Sequence, residues 1–322
     1  MGTKYLKYFI ILSLFFAFGC SNTKYLPKGD LLYTGASVKV EDSILKKKEK
    51  TALQNELQSL LRPLPNKQFL GLRIKLWIYN IAGEPKKKKG TRYWLRNKVG
   101  EAPVLYSKVD LDYNSAVLRN YAENKGFFKV SVSADSTAKD KRATAEYTVI
   151  PRKQYKIKSV TFPDDSSAVA KTIAKTTRRS LLKVGKPYDL DVIKSERERI
   201  DSRLKEKGFY YFNSDYILAQ VDSTKGDHEV SIKLKIKDET PAKAKVPYTI
   251  NDIVVYPNFS ILKDSTAVAY KKEDIVKYKD FTIIDSTNTF RPRVFDRALY
   301  FKKGDFYNRS DHNLSLNRFV NL

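Results

Sequence analysis

Two stretches of the chain carry the same arrangement of apolar positions. In each, a tyrosine precedes a glycine by twenty residues, Tyr106 with Gly126 and Tyr188 with Gly208. The apolar residues between them recur at i, i+7 and i+11, so they share one helical face. They are Leu111, Leu118 and Ala122 in the first copy and Ile193, Ile200 and Leu204 in the second. The pattern therefore predicts one amphipathic helix before each glycine.

After each glycine an aromatic residue follows and the apolar period changes to two, which is typical of strands. The glycine ends the helix in a left-handed conformation and lets the chain reverse into a sheet. We predict strands over 127–134 and 143–150 in the first copy, joined by a loop over 135–141. In the second copy the predicted strands are 209–221 and 228–237.

Each copy is preceded by a further strand and helix. The strand that opens at Tyr155, Ile157 and Val160 shifts phase in its middle, as a bulge would. A short helix is predicted over 166–182. The order strand, helix, helix, strand, strand predicts the α+β class, with tandem β-α-α-β-β repeats that each form a small mixed sheet covered by two helices.

A third copy begins at Tyr248 and reaches Gly304 and Tyr307, with an insert of about 26 residues around 264–291. Its helix would carry Leu314, Leu316, Phe319, Val320 and Leu322. The printed sequence ends before the expected glycine. The repeat predicts a glycine shortly after Leu322, followed by two strands.

The first copy contains an extra segment, residues 66–104. Its apolar run from Phe69 to Ile81 fits a helical stripe (Leu70, Ile74, Trp77, Ile78, Ile81) and also one face of a strand (Leu70, Leu72, Ile74, Leu76, Ile78). We favour the helix.

The basic tail of this segment allows two interpretations. It contains Lys86, Lys87, Lys88, Lys89, Arg92 and Trp94, and Trp77 precedes it. Tryptophan and lysine together suit a bilayer interface. Alternatively, the aromatic residues complete the core of the first domain and the lysines are a solvated loop, and we favour this second interpretation.

The N-terminus changes the meaning of the charge. A net charge of +25 would suggest nucleic acid as the partner of a cytosolic protein. However, Lys4 and Lys7 precede an apolar run over 9–18 that has the length of a signal-peptide core. Cys20, the single cysteine, directly follows that run and resembles the lipidated cysteine of bacterial lipoproteins. We therefore expect export, lipidation at Cys20 and no nucleic-acid partner.

The residue pattern resembles the POTRA domains of outer-membrane assembly factors of the BamA and TamA type. It is most similar to the lipidated TamA-like group of Bacteroidetes, TamL, in the N-terminal POTRA region without the barrel that follows in that family. The resemblance rests on the strand openings at 155 and 248, Gly-x-x-Tyr at 185 and 304, Lys-Gly-Phe-aromatic at 125 and 207, Cys20 to Pro27, Leu72 to Gly83, and Phe290 to Leu314.

The resemblance implies five segments and a function. The segments are a signal peptide (1–19), a lipidated cysteine and linker (20–30), and POTRA-like units over 31–152, 153–240 and 241–322, the third truncated. The implied function is a periplasmic scaffold, anchored by lipid to the outer membrane, that binds unfolded outer-membrane proteins or a TamB-type periplasmic protein.

An exposed strand edge could bind such partners through backbone hydrogen bonds. The candidate edge residues are Phe127, Phe128, Val130, Val132, Phe209, Tyr210, Phe212 and Ile217. The alternative function is a membrane-surface module that binds anionic lipid or lipopolysaccharide through the basic segment. With two histidines in different units and no nucleophile motif, we expect neither a catalytic site, a metal nor a cofactor.

Overall fold

The protein contains three small mixed sheets, each packed with helices. The structure is a computed structural model that describes residues 22–42, 44–224, 226–257, 274–285 and 289–321. The chain divides into two compact units, Met1–Gln154 and Tyr155–Leu322. The first unit contains one sheet and the second contains two. The predicted α+β class is confirmed.

The first unit has the strand order β1-β3-β2, with β1 parallel and β2 antiparallel to β3. Its elements are β1 (Leu32–Val40), α1 (Lys47–Leu60), α2 (Ile74–Ala82), α3 (Thr91–Trp94), α4 (Leu111–Asn124), β2 (Ser131–Lys139) and β3 (Arg142–Ile150). One face of the sheet packs against α1 and α4. The core there includes Leu57, Leu118, Ala122 and Tyr147, all fully buried.

The second unit begins with a sheet of the same topology, in the order β4-β6-β5. Its elements are β4 (Lys156–Thr161), α5 (Ala168–Ala174), α6 (Leu190–Lys205), β5 (Ile217–Asp222) and β6 (Glu229–Ile236). The register of β4 shifts between Ile157 and Ser159, which confirms the predicted bulge. As predicted, Ile193, Ile200 and Leu204 are buried on the inner face of α6.

The third sheet has the same strand order but draws its strands from a different part of the sequence. Its elements are β7 (Val254–Val255), β8 (Ile275–Tyr278), β9 (Phe281–Ile284), α7 (Pro292–Ala298) and α8 (Arg309–Val320). β7 is parallel and β8 antiparallel to β9. The predicted insert therefore contains a hairpin that lies before the two helices, where the first two sheets have their hairpin after the helices.

The helix predicted in this third copy is present as α8. Leu314, Leu316 and Val320 of this helix are exposed, while Ser315 is buried and Phe319 packs against the core of the third sheet. Leu322 and most of the insert around 264–291 lie outside the described residues.

The prediction of a loop over 135–141 is wrong. β2 continues to Lys139, and only Asp140 and Lys141 form the turn, both with positive φ of 51° and 57°. Two consecutive positive φ angles are the geometry of a tight hairpin turn. The strand is longer because the polar residues Asp135, Ser136 and Thr137 can occupy a solvated sheet edge as readily as a loop.

The opening of every sheet is bonded to the segment before its second long helix. In the second unit, Ile157 N donates to Lys186 O at 2.8 Å and Tyr188 N donates to Tyr155 O at 2.9 Å. We call this pair of backbone bonds the strand clip. The equivalent bonds in the first sheet join Tyr33 to Val104 and Tyr106 to Leu31, and in the third they join Ile250 to Asp305 and Tyr307 to Tyr248.

In each of the three sheets, the helix after the strand clip carries a buried polar side chain. This side chain accepts a hydrogen bond from a backbone N–H in the segment that connects the two helices. Asn114 Oδ1 accepts from Arg62 N at 3.1 Å, and Glu196 Oε2 accepts from Leu181 N at 2.9 Å. Ser315 Oγ accepts from Tyr300 N at 2.9 Å. All three side chains lie eight residues after the tyrosine of the strand clip. Each side chain thus supplies a hydrogen-bond partner for a backbone amide outside the helices.

Within the second unit, Gly208 and the aromatic residues after it join the second sheet to the third. Gly208 has φ 95°, and its carbonyl accepts from Tyr248 N at 2.8 Å. A Cβ on this residue would lie 3.0 Å from Pro247 Cβ and 3.2 Å from Tyr248 O. The Tyr210 ring packs edge-to-face on Tyr307 at 4.8 Å, and burial raises the pKa of the Tyr307 phenol.

The buried Asn114 side chain, which accepts a hydrogen bond from Arg62 N, leads to a stability prediction. Asn114→Ala removes the hydrogen bonds of Asn114 to Arg62 N, Arg62 O and the Tyr147 hydroxyl, so the free energy of unfolding should fall by about 2 kcal/mol. Asn124→Ala, which removes an exposed bond to Asn120 on the same helix, should change it by less than about 0.5 kcal/mol. Urea unfolding followed by tryptophan fluorescence measures both, since both tryptophans lie in this unit. Equal midpoints for the two variants would contradict this role of Asn114.

The close packing around Gly208 leads to a second stability prediction. Gly185→Ala meets nothing within 4 Å but must keep φ near 80°, which should lower the free energy of unfolding by about 1 kcal/mol. Gly208→Ala has the same backbone requirement, and its Cβ would also crowd Pro247 and Tyr248. This variant should therefore lower the free energy of unfolding by about 1–3 kcal/mol more. Urea unfolding followed by far-UV circular dichroism compares them, and a Gly208 variant as stable as the Gly185 variant would disprove the tight junction.

Candidate binding edges

The two edges of the first sheet, and of the second, differ in what occupies them. The outer edges of β1 and β4 carry the strand clip at their openings. β2 and β5 form the opposite edges. Among the described residues, no backbone hydrogen bond from outside the sheet is made to 131–139 or to 217–221. These two strands therefore present free backbone groups.

The register of β5 identifies which amides point outward. Lys237 N donates to Tyr216 O at 2.9 Å, so the Tyr216 carbonyl points towards the strand beside it. Because antiparallel pairs alternate between bonded and non-bonded residues, Ile217, Ala219 and Val221 turn theirs outward. Val221 is also exposed at its side chain.

The same alternation applies to β2. Its two-residue turn is closed by the pair Lys139 and Arg142, so Val132, Ala134, Ser136 and Ala138 direct their amides away from β3. One of these is occupied locally, because Ser136 N donates to the Asp135 carboxylate at 2.7 Å. Val132 and Ala134 remain available.

Positive charge lines the solvated face beside β5. Lys235 and Lys233 of β6 are exposed and lie opposite Leu218 and Gln220. A strand added outside β5 would share this wet face with the two lysines, separated from them by β5, and their positive charge favours acidic residues in that strand.

Most of the predicted edge residues do not lie in an edge strand. Phe127 and Val130 are buried core residues in the turn before β2, and Phe128 is half-buried beside them. Phe209 and Phe212 are buried before β5, and Tyr210 lies in the junction with the third sheet. Both glycines are followed by a tight turn, not a strand, because the chain must first cross from the helix layer to the sheet. Only Val132 and Ile217 lie in β2 and β5, and the Ile217 side chain is buried.

The outward positions Ala134, Ala219 and Val221 were not predicted. Their side chains are unremarkable, and what distinguishes them is the direction of a backbone amide. A sequence signal would have required the turn at Asp140 and the bond from Lys237, since these set the register.

The predicted lipid-surface residues lie together in the extra segment of the first unit. Trp77 lies on α2, and Arg92 and Trp94 lie in α3. Lys86–Lys89 lie between these two helices. All are exposed. The interpretation in which the tryptophans complete the core is wrong, since the inner face of α2 presents Leu76 and Asn80. The helix itself, Ile74–Ala82, is confirmed. Cys20 lies outside the described residues.

The described part of the chain contains neither a metal cluster nor a membrane-spanning helix. Its histidine, aspartate and glutamate side chains form no group of three or more that could hold a metal ion. Within the same residues, every helix is too short or too polar to cross a bilayer.

Comparison with protein-family models finds no match, and comparison with curated proteins finds none either.

Among solved structures, the chain is similar to POTRA domains 3–5 of BamA from Haemophilus influenzae, at 12% identity and a TM-score of 0.41, over 92% of this chain and 88% of that one. It is similar to POTRA domains 1–3 of the periplasmic domain of Omp85 from Anabaena, at 12% identity and a TM-score of 0.30, over 91% and 85%. A third similar structure is the N-terminal domain of Omp85 from Thermosynechococcus elongatus, at 11% identity and a TM-score of 0.30, over 92% and 87%. The α+β class stands on the three sheets and their helices themselves.

Proposed function

We propose that the chain is a periplasmic scaffold for outer-membrane protein assembly, of the POTRA type that its sequence motifs resemble. In this proposal it is anchored at Cys20 to the outer membrane. Its edge strands β2 and β5 bind strands of unfolded outer-membrane proteins or of a TamB-type periplasmic protein.

One observation carries the proposal. In both sheets the strand clip occupies one edge, while the other has outward amides at Val132 and Ala134 or at Ala219 and Val221. Pairing through backbone groups requires little of the partner's sequence, which suits a scaffold with many different clients. Outer-membrane strands are amphipathic, with alternating apolar and polar residues, so one face of an added strand would continue the apolar face of the sheet.

The two edges differ in how they would be protected when no client is bound. β2 is polar over its second half and occupies its own Ser136 amide with Asp135. β5 is short, with six residues, and ends at Asp222. Short strands and charged side chains are among the means by which exposed edges avoid aggregation. These edges would thus accept a strand transiently without joining two copies of the chain.

Proline at an outward position tests the pairing. Val221→Pro removes an edge amide but no hydrogen bond to β6, and proline is tolerated at such positions. With a photo-crosslinking residue at Gln220 and a synthetic amphipathic strand of about ten residues as the client, crosslinking should fall at least about tenfold in this variant.

Val221→Ala is the matched control, because it shortens the same side chain and keeps the amide. It should crosslink to the peptide as the unchanged chain does, and mass spectrometry of the crosslinked product measures both. Circular dichroism checks that both variants fold. If folded Val221→Pro crosslinks as well as Val221→Ala, strand pairing at β5 is excluded.

A further inference from the structure

Helix α2 turns its apolar side outward. Leu70, which precedes the helix, is 87% exposed, Ile81 is 60% exposed, and Ile74 and Trp77 are each 40% exposed. Ile74, Trp77 and Ile81 share one stripe of α2, and we call these three residues together with Leu70 the outer face. The opposite side of the helix is the packed one, with Leu76 fully buried. An amphipathic helix normally packs its apolar side inward, whereas α2 leaves three large apolar side chains exposed.

The segment that carries the outer face is held firmly at its base. Asn66 Nδ2 donates to Ala102 O at 2.7 Å and Asn66 Oδ1 accepts from Val104 N at 2.9 Å, which joins its two ends. Arg73 donates to Thr34 O on β1 at 3.1 Å. The outer face therefore belongs to a fixed part of the first unit.

The helix is also fixed along its length. Glu101 N donates to Lys75 O at 3.1 Å, and the Arg96 guanidinium lies 3.8 Å from the centre of the Tyr79 ring. Gly100 approaches Tyr79 so closely that a Cβ would lie 2.9 Å from the Tyr79 Cα. These contacts keep the buried side of α2 in place and leave the apolar side to solvent.

Further exposed apolar residues flank the outer face. Phe69 and Leu72 lie in the turn before α2, and Trp94 and Leu95 lie in the helical turn that packs against it. Contiguous apolar surface of this kind marks an interaction site in a folded protein. The same segment, residues 66–104, carries ten lysines and arginines against two glutamates.

The start of the described chain indicates what covers this surface. Asn80 of α2 donates from Nδ2 to Asn22 O at 3.4 Å, and Thr23 is buried. The described chain therefore begins against α2. In the sequence Cys20 precedes Asn22 by two residues, which span at most about 7 Å of extended chain. A lipid anchor at Cys20, which is part of the proposed function, would thus hold α2 near the bilayer.

We infer that α2 lies in the interface of an anionic bilayer, with Leu70, Ile74, Trp77 and Ile81 among the upper acyl chains. Lys86–Lys89 and Arg92 then face the headgroups. Apolar burial and basic residues near an anionic surface both favour this position. The first unit is held to the membrane by this helix as well as by the leader, so its orientation is restricted. The surface is independent of strand pairing at β2 and β5.

Trp77 is a built-in probe of the inference. With Trp94→Phe, Trp77 becomes the single tryptophan of the full chain. The test uses vesicles of equal parts phosphatidylglycerol and phosphatidylcholine that carry bromine on the acyl chains. Since the leader can hold the chain on vesicles by itself, flotation is not sufficient. Trp77 emission should shift to the blue and be quenched by the bromine, and added salt should reduce the quenching.

Two substitutions and a matched control separate the outer face from unspecific binding. The double variant Ile74→Glu and Ile81→Glu should weaken Trp77 quenching at least about tenfold at equal lipid, because two apolar anchors become charged. Ile44→Glu makes the same change at an exposed isoleucine of the same unit outside α2 and should have no effect.

Three results would overturn the inference. The first is unquenched Trp77 on chains that float with the vesicles. The second is equal quenching in the double variant and the Ile44→Glu control. The third is protection of Trp77 from aqueous iodide without lipid, increasing with protein concentration, which would show that a second copy covers the outer face.

Discussion

The strand clip is the interaction on which the rest of each unit depends. Two backbone hydrogen bonds tie the opening of the first strand to the segment just before the second long helix. They determine where the strand starts and where the helix starts relative to it. In the second and third sheets the residue after the clip tyrosine is the helix N-cap, Asp189 or Asn308, whose side chain accepts the first free amides. In the first sheet a short 3-10 turn intervenes before Asp110 takes that role.

The clip also explains the asymmetry of the edges. A three-stranded sheet has two edges, and the clip uses part of one of them for the fold itself. The outward amides of Val132, Ala134, Ala219 and Val221 have no backbone partner in the described residues. An architecture that uses part of one edge for the fold favours the opposite edge for an added strand, as the proposed scaffold requires.

The third sheet shows that the architecture is separable from the order of its parts. β8 and β9 come before α7 and α8 along the chain, yet they take the places that a later hairpin takes in the other sheets. β9 still pairs with the opening strand in parallel, and Phe281 and Ile283 still pack on the helix layer. The requirement is an apolar hairpin beside the opening strand, and its position in the sequence is secondary.

The sequence by itself determined the α+β class, the helices of the repeated segment with their buried faces, the left-handed glycines and the bulge. These follow from local chemistry, because apolar period, glycine and turn residues act over a few neighbouring positions. Tertiary structure alone decided the buried polar acceptor, since Asn114, Glu196 and Ser315 share a position and not a residue type. It alone decided the outward amides of β2 and β5, which depend on register. It also decided which side of α2 is exposed, since periodicity reveals an apolar face but contacts with Asn22, Arg96 and Gly100 choose the side that is packed.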